Sequence, residues 1–143
     1  MNSRKTIVAI ALAVALLPAP VLADVVAVVS VDSHVTTLTK NQLTDIFLGK
    51  ATRFPDGTLA VPIDQAEGSS ARDEFYLKLA GKSAAQLKAY WSKIIFTGRG
   101  QPPPVVTNGG ELKKRLGKNT AVIGYIDASL VDDSVRVVLR PGG

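Results

Sequence analysis

The apolar positions of this chain change rhythm several times, and each rhythm predicts an element. From Asp24 to Val31 (DVVAVVSV) apolar residues run almost unbroken without helical spacing, the pattern of a short strand buried on both faces. A loop follows at Asp32 to Thr37. Thr39 then stands three residues before Gln42, a capping-box arrangement. Leu43, Ile46 and Phe47 fall at i, i+3 and i+4 before Gly49 ends the helix. The turn signals Phe54-Pro55-Asp56-Gly57 lead into a second short strand, Leu59 to Ile63.

Beyond the break at Gly68-Ser69-Ser70, Phe75, Tyr76, Leu79 and Ala80 make an apolar stripe that Gly81 terminates. Ser83 and Gln86 form another capping box, and Leu87, Tyr90, Trp91, Ile94 and Ile95 follow at i, i+3, i+4, i+7 and i+8, the template of a core-facing helix. Thr97 to Pro104 (TGRGQPPP) cannot continue a helix and reads as a stiff loop. Asn108 and Glu111 open a shorter helix through Leu112 and Leu116, with Lys113, Lys114, Arg115 and Lys118 towards its C-terminal end, where they complement the dipole as a solvated face. Ala121 to Ile126 and Val135 to Leu139 are two further strands with Asp-rich turns between them. Strand, helix, strand, three helices, strand, strand is an α/β order, and the late pair of strands predicts a mixed sheet flanked by helices.

The first residues carry a different signal. Arg4 and Lys5 precede an uncharged apolar run, Thr6 to Leu17. Pro18, Pro20 and Val21-Leu22-Ala23 then supply a breaker and small residues at a cleavage site. This predicts a secretory signal peptide over residues 1–23 and a single domain over 24–143, exported to the periplasm if the cell is Gram-negative. Twelve residues are too few for a membrane span, which needs about 20. Cleavage leaves 120 residues, enough for one core, with 15 basic residues against 12 acidic, a net charge of +3. With no basic block and no aromatic-basic interleaving, nucleic acid is not an expected partner.

Catalytic chemistry is scarce. His34 is the only histidine and there is no cysteine, so a nucleophile-histidine-acid set would have to be built around that single residue and is not expected, and a His/Cys zinc site is excluded. Ser69 does not lie in a Gly-x-Ser-x-Gly elbow. The paired acids Asp73-Glu74 and Asp132-Asp133 read as helix and turn chemistry. Gly98-Arg99-Gly100 runs into three prolines instead of opening a helix, which argues against a nucleotide loop. No enzyme, metal or cofactor is expected.

Gly68-Ser69-Ser70 admits two readings. As a helix start, Ser70 is the N-cap and Asp73 and Glu74 complement the dipole. As an anion cradle, a glycine lets the backbone approach closely, serine hydroxyls donate, and the first helical N–H groups face the ligand.

The order of these motifs resembles the phosphate-binding proteins of ABC transporters, of the type II periplasmic binding fold. In that family Leu-Thr-x-x-x-(Leu/Ile)-x-x-Ile-Phe-x-Gly precedes a turn, a strand, and Arg-x-Asp-Gly-Ser-Gly-Thr opening a helix. Here Leu38, Thr39, Leu43, Ile46, Phe47 and Gly49 match the first motif, and Gln65 to Ala71 lie over the second without a gap; Trp91 and Ile123-Gly124-Tyr125 resemble later family features. The similarity runs from about Val25 to Ile126. It implies the fold of one lobe, because 120 residues correspond to little more than the second of the family's two jaws.

The resemblance also implies an anion site at Gln65, Gly68, Ser69, Ser70 and Ala71, with departures. The phosphate-pairing arginine falls on Gln65, the aspartate on Glu67, and Ser-Gly-Thr on Ser69-Ser70-Ala71, so the bidentate charged contact and one hydroxyl are lost. Arg72 could supply a replacement charge from the first turn, or stand solvated beside Asp73. The expected function is weak binding of phosphate or a related small oxyanion, linked to an ABC transporter. The alternative is a ligand-free interaction module that uses Gln101 to Pro104 and its adjacent face to engage an envelope protein, or that dimerises to restore a cleft.

Overall fold

The first strand explains the layering. In the computed structural model, which describes residues 9–13, 15 and 24–143, β1 (Val25–Ser30) is buried at all six positions. Its side chains alternate between two cores: Val25, Ala27 and Val29 pack into one cluster, Val26 and Val28 into the other. A continuously apolar, valine-rich run is therefore what a strand with helices on both faces requires.

Chain order gives α1 (Lys40–Phe47), β2 (Val61–Pro62), β3 (Asp64–Gln65), α2 (Ser70–Ala80), α3 (Ala84–Phe96), β4 (Val105–Val106), α4 (Gly109–Lys118), β5 (Val122–Asp127) and β6 (Val135–Leu139). The main sheet runs β2-β5-β1-β6. β1 pairs antiparallel with β5 and β6, and β2 pairs parallel with β5, so the sheet is mixed. Leu43, Ile46 and Phe47 of α1, Phe75, Tyr76 and Leu79 of α2, and Leu87 and Trp91 of α3 cover one face. Leu112 and Leu116 of α4 lie in the core on the other. A buried side chain of this size contributes about 1.5–3 kcal/mol.

Local signals hold where they are purely local. Thr39 and Ser83 cap α1 and α3 in complete capping boxes with Gln42 and Gln86, and Asn108 accepts from the Glu111 N–H at 2.9 Å to start α4. Gly81, at φ +63, ends α2, so the tripeptide Gly81-Lys82-Ser83 is a helix stop followed by a helix start. It is no phosphate loop, because Tyr76 stands where such a motif begins with glycine. Gly124 on β5 faces α4: a Cβ there would collide with the side chain of Leu112.

Three expectations are corrected. The strand expected over Leu59 to Ile63 is only Val61–Pro62, and the chain turns directly into β3, which pairs parallel with β4. Two-residue strands leave no periodicity to read. The N-cap of α2 is Ser69, not Ser70: its hydroxyl accepts from the Arg72 N–H at 3.3 Å. Finally, only Leu87 and Trp91 of the α3 stripe are buried; Tyr90 and Ile94 are partly covered, and Ile95 is 48% exposed. Periodicity marks an apolar face of a helix but cannot say whether anything packs on its whole length. The expected signal peptide, Met1 to Ala23, lies for the most part outside the described residues.

Candidate functional site

The turn before α2 rests on a buried polar cluster centred on Asp64, which is 2% exposed. The Tyr76 hydroxyl donates to its Oδ2 at 2.7 Å, the Tyr125 hydroxyl donates to its Oδ1, and the Gln65 N–H donates to Oδ1 at 2.8 Å. The Arg72 Nε lies 3.5 Å from the same oxygen without hydrogen-bond geometry, and its guanidinium carbon sits 5.6 Å over the Tyr76 ring. That contact is an ion pair supported by a cation–π contact, not a bidentate clamp. Burial, and next the Asp64 charge, push both tyrosine hydroxyls far above their ordinary pKa.

Around these hydroxyls the rings form the centre of the first core. Phe75 and Tyr125 stack at 4.0 Å between centroids, and Phe47 meets Phe75 edge-on at 4.9 Å. The aspartate is thus held by hydroxyls whose rings are fixed by packing, and it in turn anchors β3.

Gln65 is 5% exposed and turned into this structure. Its Nε2 donates to the Tyr125 carbonyl at 2.8 Å, and its Oε1 accepts from the Ser69 hydroxyl at 3.3 Å. Ser69 consequently works in both directions, as the cap acceptor for Arg72 and as a donor to Gln65. Gly68 has φ +88, and a Cβ there would meet nothing within 4 Å, so this position needs glycine for its left-handed backbone and not for close approach. Gly68 and Ser70 are exposed. The N–H groups of Ser70 and Ala71, the first two residues of α2, have no intrahelical acceptor and sit at the positive end of the dipole.

Of the six residues expected at the anion site, Gly68 lies in an exposed turn and Ser70 and the half-buried Ala71 open α2, while Gln65, Ser69 and Arg72 are engaged with the interior. Arg72 takes neither position expected for it: its side chain is 14% exposed and paired with Asp64, not solvated beside Asp73. Glu67 is exposed at the turn, with Lys88 at 4.0 Å. Sequence reasoning missed Asp64 and its two tyrosines. The available signal was an aspartate directly after an apolar strand, which a fold buries only with partners.

The other candidate chemistry disperses. His34 is exposed, Glu74 pairs with Lys78 at 2.6 Å along α2, and the carboxylate of Asp132 bonds Lys113, which holds its pKa well below the usual range. No group of three His, Cys, Asp or Glu side chains among the described residues is placed to hold a metal.

No protein-family model matches the chain, and no curated protein sequence does. Solved structures do match it. A phosphate ABC transporter substrate-binding protein from Clostridium perfringens, with phosphate bound, superposes with a TM-score of 0.64 at 27% identity, over 84% of this chain and 46% of that one. An ABC-type phosphate transport receptor from Vibrio cholerae gives a TM-score of 0.64 at 23% identity, over 82% and 46%. PstS from Borrelia burgdorferi gives 0.55 at 16%, over 81% and 46%. The chain therefore has the α/β fold of one lobe of these phosphate-binding proteins, a mixed sheet flanked by four helices. It spans about half the length of the proteins it resembles.

Proposed function

We propose that the chain is an exported, non-catalytic solute-binding protein, cut after Ala23 and working in the periplasm, that takes phosphate or a related small oxyanion weakly at the start of α2. The observation that carries this reading is the open turn Gly68-Ser69-Ser70, with the free amides of Ser70 and Ala71, in a fold whose Clostridium perfringens counterpart holds phosphate. The Ser70 hydroxyl adds a donor.

Weakness follows from the neighbours. Gln65 brings no charge and its amide is bonded to Tyr125, the Ser69 proton goes to Gln65, and the Arg72 charge is opposed by Asp64. Without an arginine fork an exposed helix end contributes only about 0.3–1 kcal/mol per charge, so millimolar affinity, about −4 kcal/mol, is the expected range. The ligand would be handed to an ABC transporter.

Replacing Ser69→Ala and Ser70→Ala together should abolish the phosphate-dependent rise in melting temperature. Equal rises in variant and wild type would overturn the site. Titration calorimetry with phosphate, sulfate and molybdate then identifies the anion.

A second reading, an envelope interaction module or a homodimer that restores a two-jawed cleft, rests on a different observation. Phe96 is 92% exposed, Val105 59% and Ile95 48%, all flanking the proline loop. Sedimentation with and without phosphate separates the readings: association unaffected by phosphate supports the module, and a phosphate-dependent shift supports the cleft.

A further inference from the structure

A larger concavity lies away from the α2 turn and shares no residue with the stretch Gln65 to Arg72. Its volume is about 640 Å³, within the roughly 300–1,000 Å³ of small-molecule sites. Trp91 and Ile94 of α3, Pro62 on the outer edge of β2 and Pro104 of the proline loop line it, together with the exposed cations Lys50 and Arg99.

The walls are apolar and pre-formed. Trp91 is 6% exposed, and its ring packs so near Gly49 that a Cβ there would stand 3.3 Å from it. The Tyr90 hydroxyl donates to the Leu48 carbonyl at 2.7 Å and ties α3 to the end of α1. Pro62 has no N–H to offer, so the β2 edge cannot accept an added strand, and the run Pro102 to Pro104 restricts the opposite backbone. An occupant must therefore be recognised by an apolar body and not by backbone pairing.

Charge selects the other end of that occupant. No carboxylate among the described residues lies within ion-pair distance of Lys50 or Arg99. Between Glu74 and Glu111 the sequence carries no acidic residue, and of the cations in that stretch Lys82, Lys93 and Arg99 make no ion pair among the described residues. Two uncompensated cations beside an apolar hollow complement one anionic head on an apolar tail.

We propose that this cavity binds a free alkyl carboxylate, with the chain against Trp91, Ile94 and the prolines and the head group between Lys50 and Arg99. It is independent of the oxyanion reading, since failure of phosphate to bind at α2 leaves every residue invoked here untouched.

Trp91 is the only tryptophan, so its emission reports on the cavity directly. Titrating the full chain with laurate below its micelle concentration should change that emission saturably. The double variant Lys50→Glu, Arg99→Glu alters two exposed side chains and should keep its circular dichroism and melting temperature while binding laurate at least about tenfold more weakly. Dodecanol, with the same chain and no charge, should also bind at least about tenfold more weakly than laurate to wild type. An emission that does not saturate overturns the proposal, as does equal affinity for laurate in the variant or for dodecanol in wild type.

Discussion

Around Asp64 polar side chains lie inside the protein with their hydrogen bonds made, whereas along the outer half of α3 apolar side chains lie outside with nothing over them. Both regions break the simple rule of apolar in and polar out, and they break it with opposite energetic consequences. A buried aspartate is tolerable only because two tyrosine hydroxyls, a backbone N–H and an arginine surround it; removing any partner leaves a desolvated group behind. An exposed phenylalanine costs little on its own. The first region is thus a structural keystone under the candidate anion turn, and the second is surface free to serve a partner or ligand.

The contrast is broken most severely at Asp64. Asp64→Ala strands two hydroxyls and the Arg72 charge and should cost about 3–5 kcal/mol, read by urea denaturation, while Asp64→Asn keeps an acceptor and should cost clearly less. Equal, small losses in both would mean that the cluster does not support the fold.

Alkaline pH tests the same cluster without mutation. Tyr76 and Tyr125 have pKa values raised above the ordinary 10.0 in the folded protein, by burial first and by Asp64 next. Folding therefore favours their protonated forms. That contribution is complete below pH 10.0 and is lost as pH rises beyond it, because the unfolded chain releases these protons and the folded one does not. Ultraviolet titration should show both tyrosinates appearing together with unfolding, and independent early ionisation would contradict the burial.

Ser69→Ala removes the α2 cap and the contact to Gln65, an expected loss of about 1 kcal/mol in thermal unfolding. Smallest of all, Phe96→Ser should leave stability within about 0.5 kcal/mol while improving solubility. A large loss there would show that α3 is packed in solution after all.

Much of the fold was legible because its determinants are local or strictly periodic. The caps at Thr39 and Ser83, the stop at Gly81 and the strands β1, β5 and β6 follow from spacing and residue type alone. The residues that carry the resemblance to phosphate-binding proteins turn out to be largely core: Leu43, Ile46, Phe47, Phe75, Trp91 and Tyr125 are all buried, and Gly124 makes room for Leu112. Their match therefore speaks for the fold, and it is the positions around the turn, Gln65 above all, that differ.

The candidate site was legible only in part. Gly68, Ser70 and Ala71 lie around the start of α2, but the cap fell one residue earlier, on Ser69, because a cap is chosen by backbone angles and two adjacent serines satisfy the pattern equally. The partners of Gln65 and Arg72 lie on other elements, Tyr125 on β5 and Asp64 on β3, so no spacing could reveal them.

By itself the sequence determined the class of fold, the capping boxes that start α1 and α3, the stop at Gly81 and the scarcity of catalytic groups, since these depend on neighbours in the chain and on composition. Only the tertiary structure decided that Asp64 gathers Tyr76, Tyr125 and Arg72, that Gln65 turns inward, and that the α3 stripe is only partly covered, with Ile95 left exposed beside a cavity. Those outcomes hinge on which surfaces meet across β-strands and helices distant in sequence, and on burial, which converts an ordinary aspartate or an ordinary apolar stripe into a keystone or an open face.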